Sequence, residues 1–584
     1  MKISIKILYG IPFTLLILLQ FIIFSTRILA VNFPDLILYN GKIITVDSNF
    51  SIAGAVAITD EYFSDVGTNN DILKLAGPQT RKIDLNGKTV LPGLIDAHAH
   101  PEMAAMSELF EEIPDVHSIN ELLEYIRSQV KIKTPGEWIV HQKFFPTRLR
   151  ERRQPTKEEL DSAAPENPVF LNGTYAGMIN SVAMKVSGIT KETNHPGILK
   201  NLATGEPTGF IRASAFALLK GIPSKEISYE QKLTALEEML KRYNKVGITG
   251  VTDGSQTPEA LKMYLDLRKQ RRLPVRVCMN IMAPDFISQE KMMSELREWG
   301  FYTGFGDHNV RIGALKVLLD GGILTGTAYM REPWGQKVKE IFGIENPEYR
   351  GILNIPEEKL KNIVTIVNSF GWKFTAHCTG GGAMDTLLAA YEEANRQSPI
   401  RQRRFSIIHG NFFTPDAIRK CAELGVIVDF QPAWFYKDAD ALNYILGANR
   451  VKEFLPLKSL LNAGVMLNGG SDHMVKFDSY SSINPYNPFL GMWTVITRKT
   501  EQGTIIEPSQ VISRTEALEM YTMNNAYGTF EEDVKGSIEP GKLADVIVID
   551  RDFLTCPDDA IRTIQVEITM VGGKIVYENC LNKD

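Results

Sequence analysis

The sequence predicts an α/β protein: a (β/α)8, TIM-like barrel with a small β-sandwich domain formed from both chain ends and an inserted subdomain after the first barrel strand. Three observations predict it. Short strand-like runs cluster at both ends of the 584-residue chain. Between them, apolar strands alternate with amphipathic helical stretches, the mark of βα units and a parallel sheet. The stretch between the first and second of these strands is far too long for one connection. The length allows a large core and more than one domain, and 44% hydrophobic with 23% charged residues is an ordinary globular composition. A formal net charge of -5 offers no electrostatic footprint for nucleic acid. The 5 Cys are scattered and odd in number, which argues against a disulfide framework or a Cys-type zinc site.

In chain order, residues 1–30 read as a signal peptide or a membrane anchor. Lys2 and Lys6 precede an apolar run from Ile7 to Phe24, close to the roughly 17–25 residues that span a bilayer. Either use makes the protein secreted, periplasmic or membrane-anchored, with the catalytic part outside the cytosol. Residues 31–91 and 533–584 form the composite β domain. Its strands are expected at 36–39 and 42–46 around the Asn40-Gly41 turn, at 55–58, 82–85, 89–91 and 544–550, and in a hairpin around Gly572-Gly573. Residues 92–532 form the barrel, with strands at 93–96, 250–252, 275–277, 314–317, 373–376, 406–408, 426–428 and 466–468. Helices such as 229–246 and 356–370 lie between them, and residues 101–240 are the insert.

The notable polar residues fall at or just after the ends of these strands, where a barrel of this kind carries its active site. Asp96-Ala97-His98-Ala99-His100 follows the first. Two His at i and i+2 on a strand point the same way and can reach one metal. His377 and His409 each end a consecutive strand. Asp472 closes Asn468-Gly469-Gly470-Ser471-Asp472 after the last strand and suits a general base that deprotonates an activated water. The adjacent His473 reads equally as a partner of the site or a loop residue. Lys316 lies inside the apolar run Ala314-Leu315-Lys316-Val317. A charge there is costly unless paired or ligating, so it reads either as a chain reaching solvent or as a lysine carboxylated by CO2 that bridges two ions. Neutral imidazoles suit zinc, and iron, manganese or nickel would fit the same set. One or two divalent ions per chain are expected. Gly469-Gly470-Ser471 is not a serine-hydrolase elbow, and Cys378 points to the opposite strand face from His377. Phe144, Phe145, Tyr175, Trp334 and Trp434 are candidates for an apolar substrate pocket.

Together these residues resemble the amidohydrolase superfamily, on the stretches Leu91-Pro92-Gly93-Leu94-Ile95-Asp96-Ala97-His98-Ala99-His100 and Gly536-Ser537-Ile538-Glu539-Pro540-Gly541-Lys542-Leu543-Ala544-Asp545. Within it, Asn180-Ser181, Gly247-Ile248-Thr249-Gly250-Val251-Thr252-Asp253, Lys316 with Asp320-Gly321, and Gly470-Ser471-Asp472 resemble the YtcJ-like, N-substituted formamide deformylase-like branch. The resemblance implies that His98 and His100 hold the more buried ion and His377 and His409 the second. It makes a carboxylated Lys316 the bridge and Asp472 the base. Two positions depart from that branch: Tyr175 stands where a His is usual, and Gly381 where an Asp is usual. The implied activity is hydrolysis of an amide or formamide C–N bond of a small molecule. The alternatives are a deaminase or cyclic amidase with the same metal site, or a non-catalytic binding protein on this scaffold. The oligomeric state is not readable from the sequence.

Overall fold

A computed structural model describes residues 33–110, 113–256, 258–283, 288–475 and 478–579. The expected signal or anchor at 1–30 lies outside them. Among the described residues no helix is long and apolar enough to cross a membrane.

Eight parallel strands run in chain order: β1 (Leu94–Ala99), β2 (Ile248–Gln256), β3 (Arg276–Met282), β4 (Val310–Leu318), β5 (Phe374–Cys378), β6 (Ser406–His409), β7 (Ile427–Phe430) and β8 (Leu467–Gly469). Each is hydrogen-bonded in parallel to the next, from β1 through β8. The seam between β8 and β1 is bridged just beyond β8. The Asp472 N–H donates to the His98 carbonyl at 2.7 Å, and the His100 N–H donates to the His473 carbonyl at 2.8 Å. Asn525 Nδ2 adds bonds to the carbonyls of Ile95 and Gly469. Every expected barrel strand overlaps one of these eight. The helix expected over 229–246 runs Tyr229–Asn244, started by a capping box of Ser228 and Gln231. The one expected over 356–370 runs Glu357–Ser369.

The two chain ends meet in a six-stranded sheet, in the order Lys574–Glu578, Val566–Val571, Val546–Ile549, Thr89–Pro92, Lys42–Ile44, Ile52–Ala53. A four-stranded sheet carries Tyr62–Gly67, Ala55–Thr59, Leu36–Tyr39 and Arg81–Asp84. The Asn40-Gly41 turn therefore passes the chain from one sheet to the other rather than closing a hairpin. The Gly572-Gly573 turn does close one, with both φ positive, as a tight hairpin turn requires. Alternation along the strands sorts the side chains. Leu36, Leu38, Val56, Ile58, Val90, Val546 and Val548 share one apolar cluster between the two sheets, while Leu91, Ile547 and Ile549 join the main core of the barrel. Arg276 on β3 meets Asp545 in a buried two-pronged ion pair at 2.7 and 2.9 Å, tying the end sheet to the barrel.

Between β1 and β2 the chain builds a separate five-stranded sheet, in the order Ile198–Lys200, Pro207–Arg212, Ala176–Ile179, Val169–Asn172, Ile139–Gln142. It is fastened to the barrel side by Arg148, which grips Asp438 through Nε and Nη2 at 2.7 and 2.9 Å. Asn180, buried, knots the insert together. Its Oδ1 accepts from the N–H groups of Val169 and Ala183, and its Nδ2 donates to the carbonyls of Ala164 and Asn167. The Asn180-Ser181 stretch thus holds the insert's own fold.

Candidate metal centre

Six side chains singled out in the sequence come together at the carboxyl ends of the strands. His98 and His100 leave β1 on one face, with ring centroids 4.9 Å apart. His98 lies 5.5 Å from His409 and His409 lies 4.6 Å from His377, ring to ring. Asp472 Oδ1 stands 3.4 Å from His98 Nε2 and 3.3 Å from His100 Nε2. Lys316 Nζ is 3.5 Å from His98 Nε2. Glycine permits this crowding: a β-carbon at Gly254 on β2 would stand 2.2 Å from His98 Cε1. Two of the six, His409 (φ +74) and Asp472 (φ +55), hold left-handed backbone, a strain of order 1–3 kcal/mol that concentrates at functional sites.

The surrounding bonds orient each group. His409 Nδ1 faces Gln431 Oε1 at 2.8 Å, and its ring stacks on Trp434 with centroids 4.3 Å apart. His377 Nε2 lies 3.1 Å from the Gly321 carbonyl, and the Tyr175 hydroxyl lies 3.2 Å from its Nδ1. A β-carbon at Gly322 would meet the Tyr175 ring at 2.6 Å, so the loop after β4 lies hard against Tyr175. Asn484 Nδ2 donates to Asp472 Oδ2 at 3.1 Å. Asp96 accepts from Ser471 N–H, Ser471 Oγ and His98 N–H, locking β1 to the segment that carries Asp472. Asp320 accepts from the N–H groups of Thr379, Gly380 and Tyr329. Asp96, Asp320 and Ser471, like Asn180, therefore act by holding the frame.

Burial sets the electrostatics. It pulls His98 down to about 3 and His377 to about 4, with the Lys316 charge acting the same way, and holds His409 well below its usual value. The imidazoles are neutral near pH 7, as metal ligands must be. Burial alone would raise Asp472, but the His100 and His98 rings facing it hold its carboxyl well below the usual range. Lys316, enclosed, is pushed down to about 8 by burial. Among the described residues no carboxylate lies within 4.0 Å of its amine.

This donor set fits a divalent ion. One ligand atom each from His98, His409 and Asp472 lies within 4.8 Å of the others. The imidazole–carboxylate separations, 3.3 and 3.4 Å, exceed the about 2.7–2.9 Å of a direct charge-assisted bond, so the rings and Asp472 are spaced as ligands to a shared ion rather than as partners of each other.

Of the pocket candidates, Tyr175 and Trp434 touch the site. Trp334 does not belong with them: it is buried in the core, edge-on to Phe342, with Nε1 donating to the Ala328 carbonyl. Its distance from a strand end in sequence misplaces it, because the loop folds back on itself. Phe144 is likewise core, packed edge-on to His141. His473 points its Nδ1 at the Tyr243 hydroxyl, 3.0 Å away. The Cys378 thiol is buried, and burial pushes it well above its usual value. Sequence reasoning missed Gln431, Asn484 and Lys143. Gln431 alone carried a signal: it follows directly on β7, a strand-end position of the kind that flagged the His residues.

A barrel with a buried imidazole–carboxylate cluster at its strand ends defines a metal-dependent hydrolase of the amidohydrolase type. The amidohydrolase family model matches residues 81–577; the chain belongs to this family, in its YtcJ-like branch. It is 29% identical to an N-substituted formamide deformylase of Arthrobacter pascens, over 93% of this chain and 98% of the relative. It is 25% identical to YtcJ of Bacillus subtilis (strain 168), over 92% and 99%. Among solved structures, an uncharacterized metal-dependent hydrolase from Pyrococcus furiosus matches 89% of this chain and 100% of its own length, with a TM-score of 0.63 and 25% identity.

Proposed function

We propose that the protein hydrolyses a non-peptide C–N bond, an amide or formamide of a small molecule, at a divalent metal centre that is zinc by ligand preference. The observation that carries this reading is the convergence of His98, His100, His377, His409 and Asp472 from separate strand ends into one buried cluster. Such an ion supplies a water acidified toward about pKa 7 and a polarised carbonyl. His98, His100 and His409 would hold it, with His377 joining once Nδ1 is given up by Tyr175. Lys316, if carboxylated by CO2, would supply the oxygens shared between this ion and a second one; burial, which lowers its amine to about 8, favours the free amine that such a reaction needs. Asp472, ionised, accepts the proton of the attacking water and returns it to the leaving amine. Tyr175, in place of the branch's usual His, changes what meets the substrate carbonyl, so the formamide specificity of the Arthrobacter pascens relative is one member of the class rather than the assignment. The apolar, basic-led residues 1–30 support action outside the cytosol.

The test is elemental analysis of the full chain purified without chelator, followed by a panel of N-formyl amines, N-acyl amines and acylated amino acids. About one or two ions per chain are expected. Chelation should abolish turnover, and Asp472→Asn should lower kcat by about 10²–10⁴-fold. A chain that takes up no ion even with zinc or manganese and bicarbonate, or a loaded chain inert on the whole panel, refutes the proposal.

A further inference from the structure

A cavity of about 760 Å³ lies beside the metal centre. Met103, on the helix that begins directly after His100, and Val475, two residues beyond His473, form part of its wall. Phe110, Trp138 and Phe216 make much of the rest apolar. Lys143 also lines it, and its charge acts on both Asp472 and His100, so it sits where the cavity meets the centre. Its Nζ donates to Thr174 Oγ1 at 3.0 Å. An ammonium has three protons to donate, and among the described residues no carboxylate pairs with this one. Lys143 and Thr174 leave the ends of two paired parallel strands of the insert, Ile139–Gln142 and Val169–Asn172. Both hold left-handed backbone, φ +55 and +74. For a β-branched threonine that conformation is an outlier, kept only where the surrounding structure imposes it. Lys133 and Lys225 also line the cavity, Lys225 Nζ donating to the Leu109 carbonyl. Lys143 is the one whose charge acts on Asp472 and His100, so two strained residues aim this cation at the junction of the cavity and the metal centre.

We propose that Lys143 anchors the substrate's carboxylate, and that the substrate class is an acidic amide with an apolar group, such as an N-acylated amino acid. The apolar group fills the cavity, the carboxylate sits on the Lys143 ammonium, and the amide lies toward Asp472. The placement of the amide rests on the hydrolase reading; the anion site does not.

Calorimetric titration of the full chain with 4-phenylbutyrate and with 4-phenylbutanol, alike except for the carboxylate, tests it. The acid should bind at least about tenfold tighter, about 1.4 kcal/mol. Added salt should erode that preference and leave the alcohol unchanged. Lys143→Met should remove the preference, and Lys143→Arg should keep it. Should Lys143→Met fail to fold, the salt series and Lys143→Arg decide alone. Equal binding of the two probes, a preference indifferent to salt, or one that survives Lys143→Met, whether carried by the metal centre or by Lys133 and Lys225, overturns the proposal. Because calorimetry reads binding, an inert enzyme that still shows the Lys143-dependent preference would sink the hydrolase reading and leave the anion site standing.

Discussion

Gln431 decides which nitrogen of His409 is free to ligate. Its Nε2 donates to the Asp429 carbonyl at 2.9 Å, which turns Oε1 toward His409 Nδ1 and puts the ring proton there. Nε2 is left as the electron-pair donor. Partners of this kind typically contribute 10–100-fold in metal affinity, so Gln431→Leu should weaken binding by about that factor in competition with a chelating dye. Unchanged affinity would assign Gln431 to packing alone. The ligand-type residues were legible in sequence because their chemistry is rare in apolar strands and their places were strand ends. Asn484 was not, because a side chain that orients another is specified by which loops meet in space; Gln431 had only its strand-end place, and Tyr175 was read for the pocket, not for its contact with His377. Trp334 was misread for the complementary reason: nothing in its sequence neighbourhood tells a loop that lines a mouth from one that packs beneath it.

The barrel strands themselves were legible from apolar runs, but their lengths were not. β2 runs Ile248–Gln256 and β4 runs Val310–Leu318, well past the apolar cores seen at 250–252 and 314–317. The extensions carry Asp253 and Gly313, weak strand formers; pairing of Asp253 with Met279 on one side and Ala99 on the other draws it into the ladder. The barrel was expected, but not the bonds across its seam: Asn525 follows the barrel strands in sequence and bonds to both sides, beside the backbone bonds of Asp472 and His100. Asn525→Ala leaves the Ile95 and Gly469 carbonyls buried without that donor, at a cost of about 1–3 kcal/mol. Urea denaturation should show that loss; a shift within about 0.5 kcal/mol, the range of an ordinary surface change, would mean the backbone bonds close the barrel unaided.

Across the whole molecule two sets of buried groups oppose each other as pH changes. Burial pushes Asp96, Asp253 and Asp320 up to about 7 from the ordinary 3.8. Their contribution to stability is full below the unfolded value and is lost as pH rises toward 7. His98 and His377, pulled down to about 3 and 4 from 6.5, contribute fully above pH 6.5 and lose that as pH falls. The stability cost of the double substitution His98→Ala with His377→Ala in metal-stripped protein should therefore shrink between pH 6.5 and 4.5. Urea denaturation at the two pH values checks it, and a cost that grows on acidification contradicts the assignment of neutral imidazoles. At the same scale, the sheet shared by both chain ends imposes an order on biosynthesis. Strand Thr89–Pro92 takes its antiparallel neighbour from Val546–Ile549, about 450 residues later. At about 5–20 residues per second on the ribosome, that neighbour arrives roughly 20–90 s after its partner. Through that interval the nascent chain carries an open β edge, with Thr89–Pro92 paired on one side only, by Lys42–Ile44, until Val546–Ile549 has emerged.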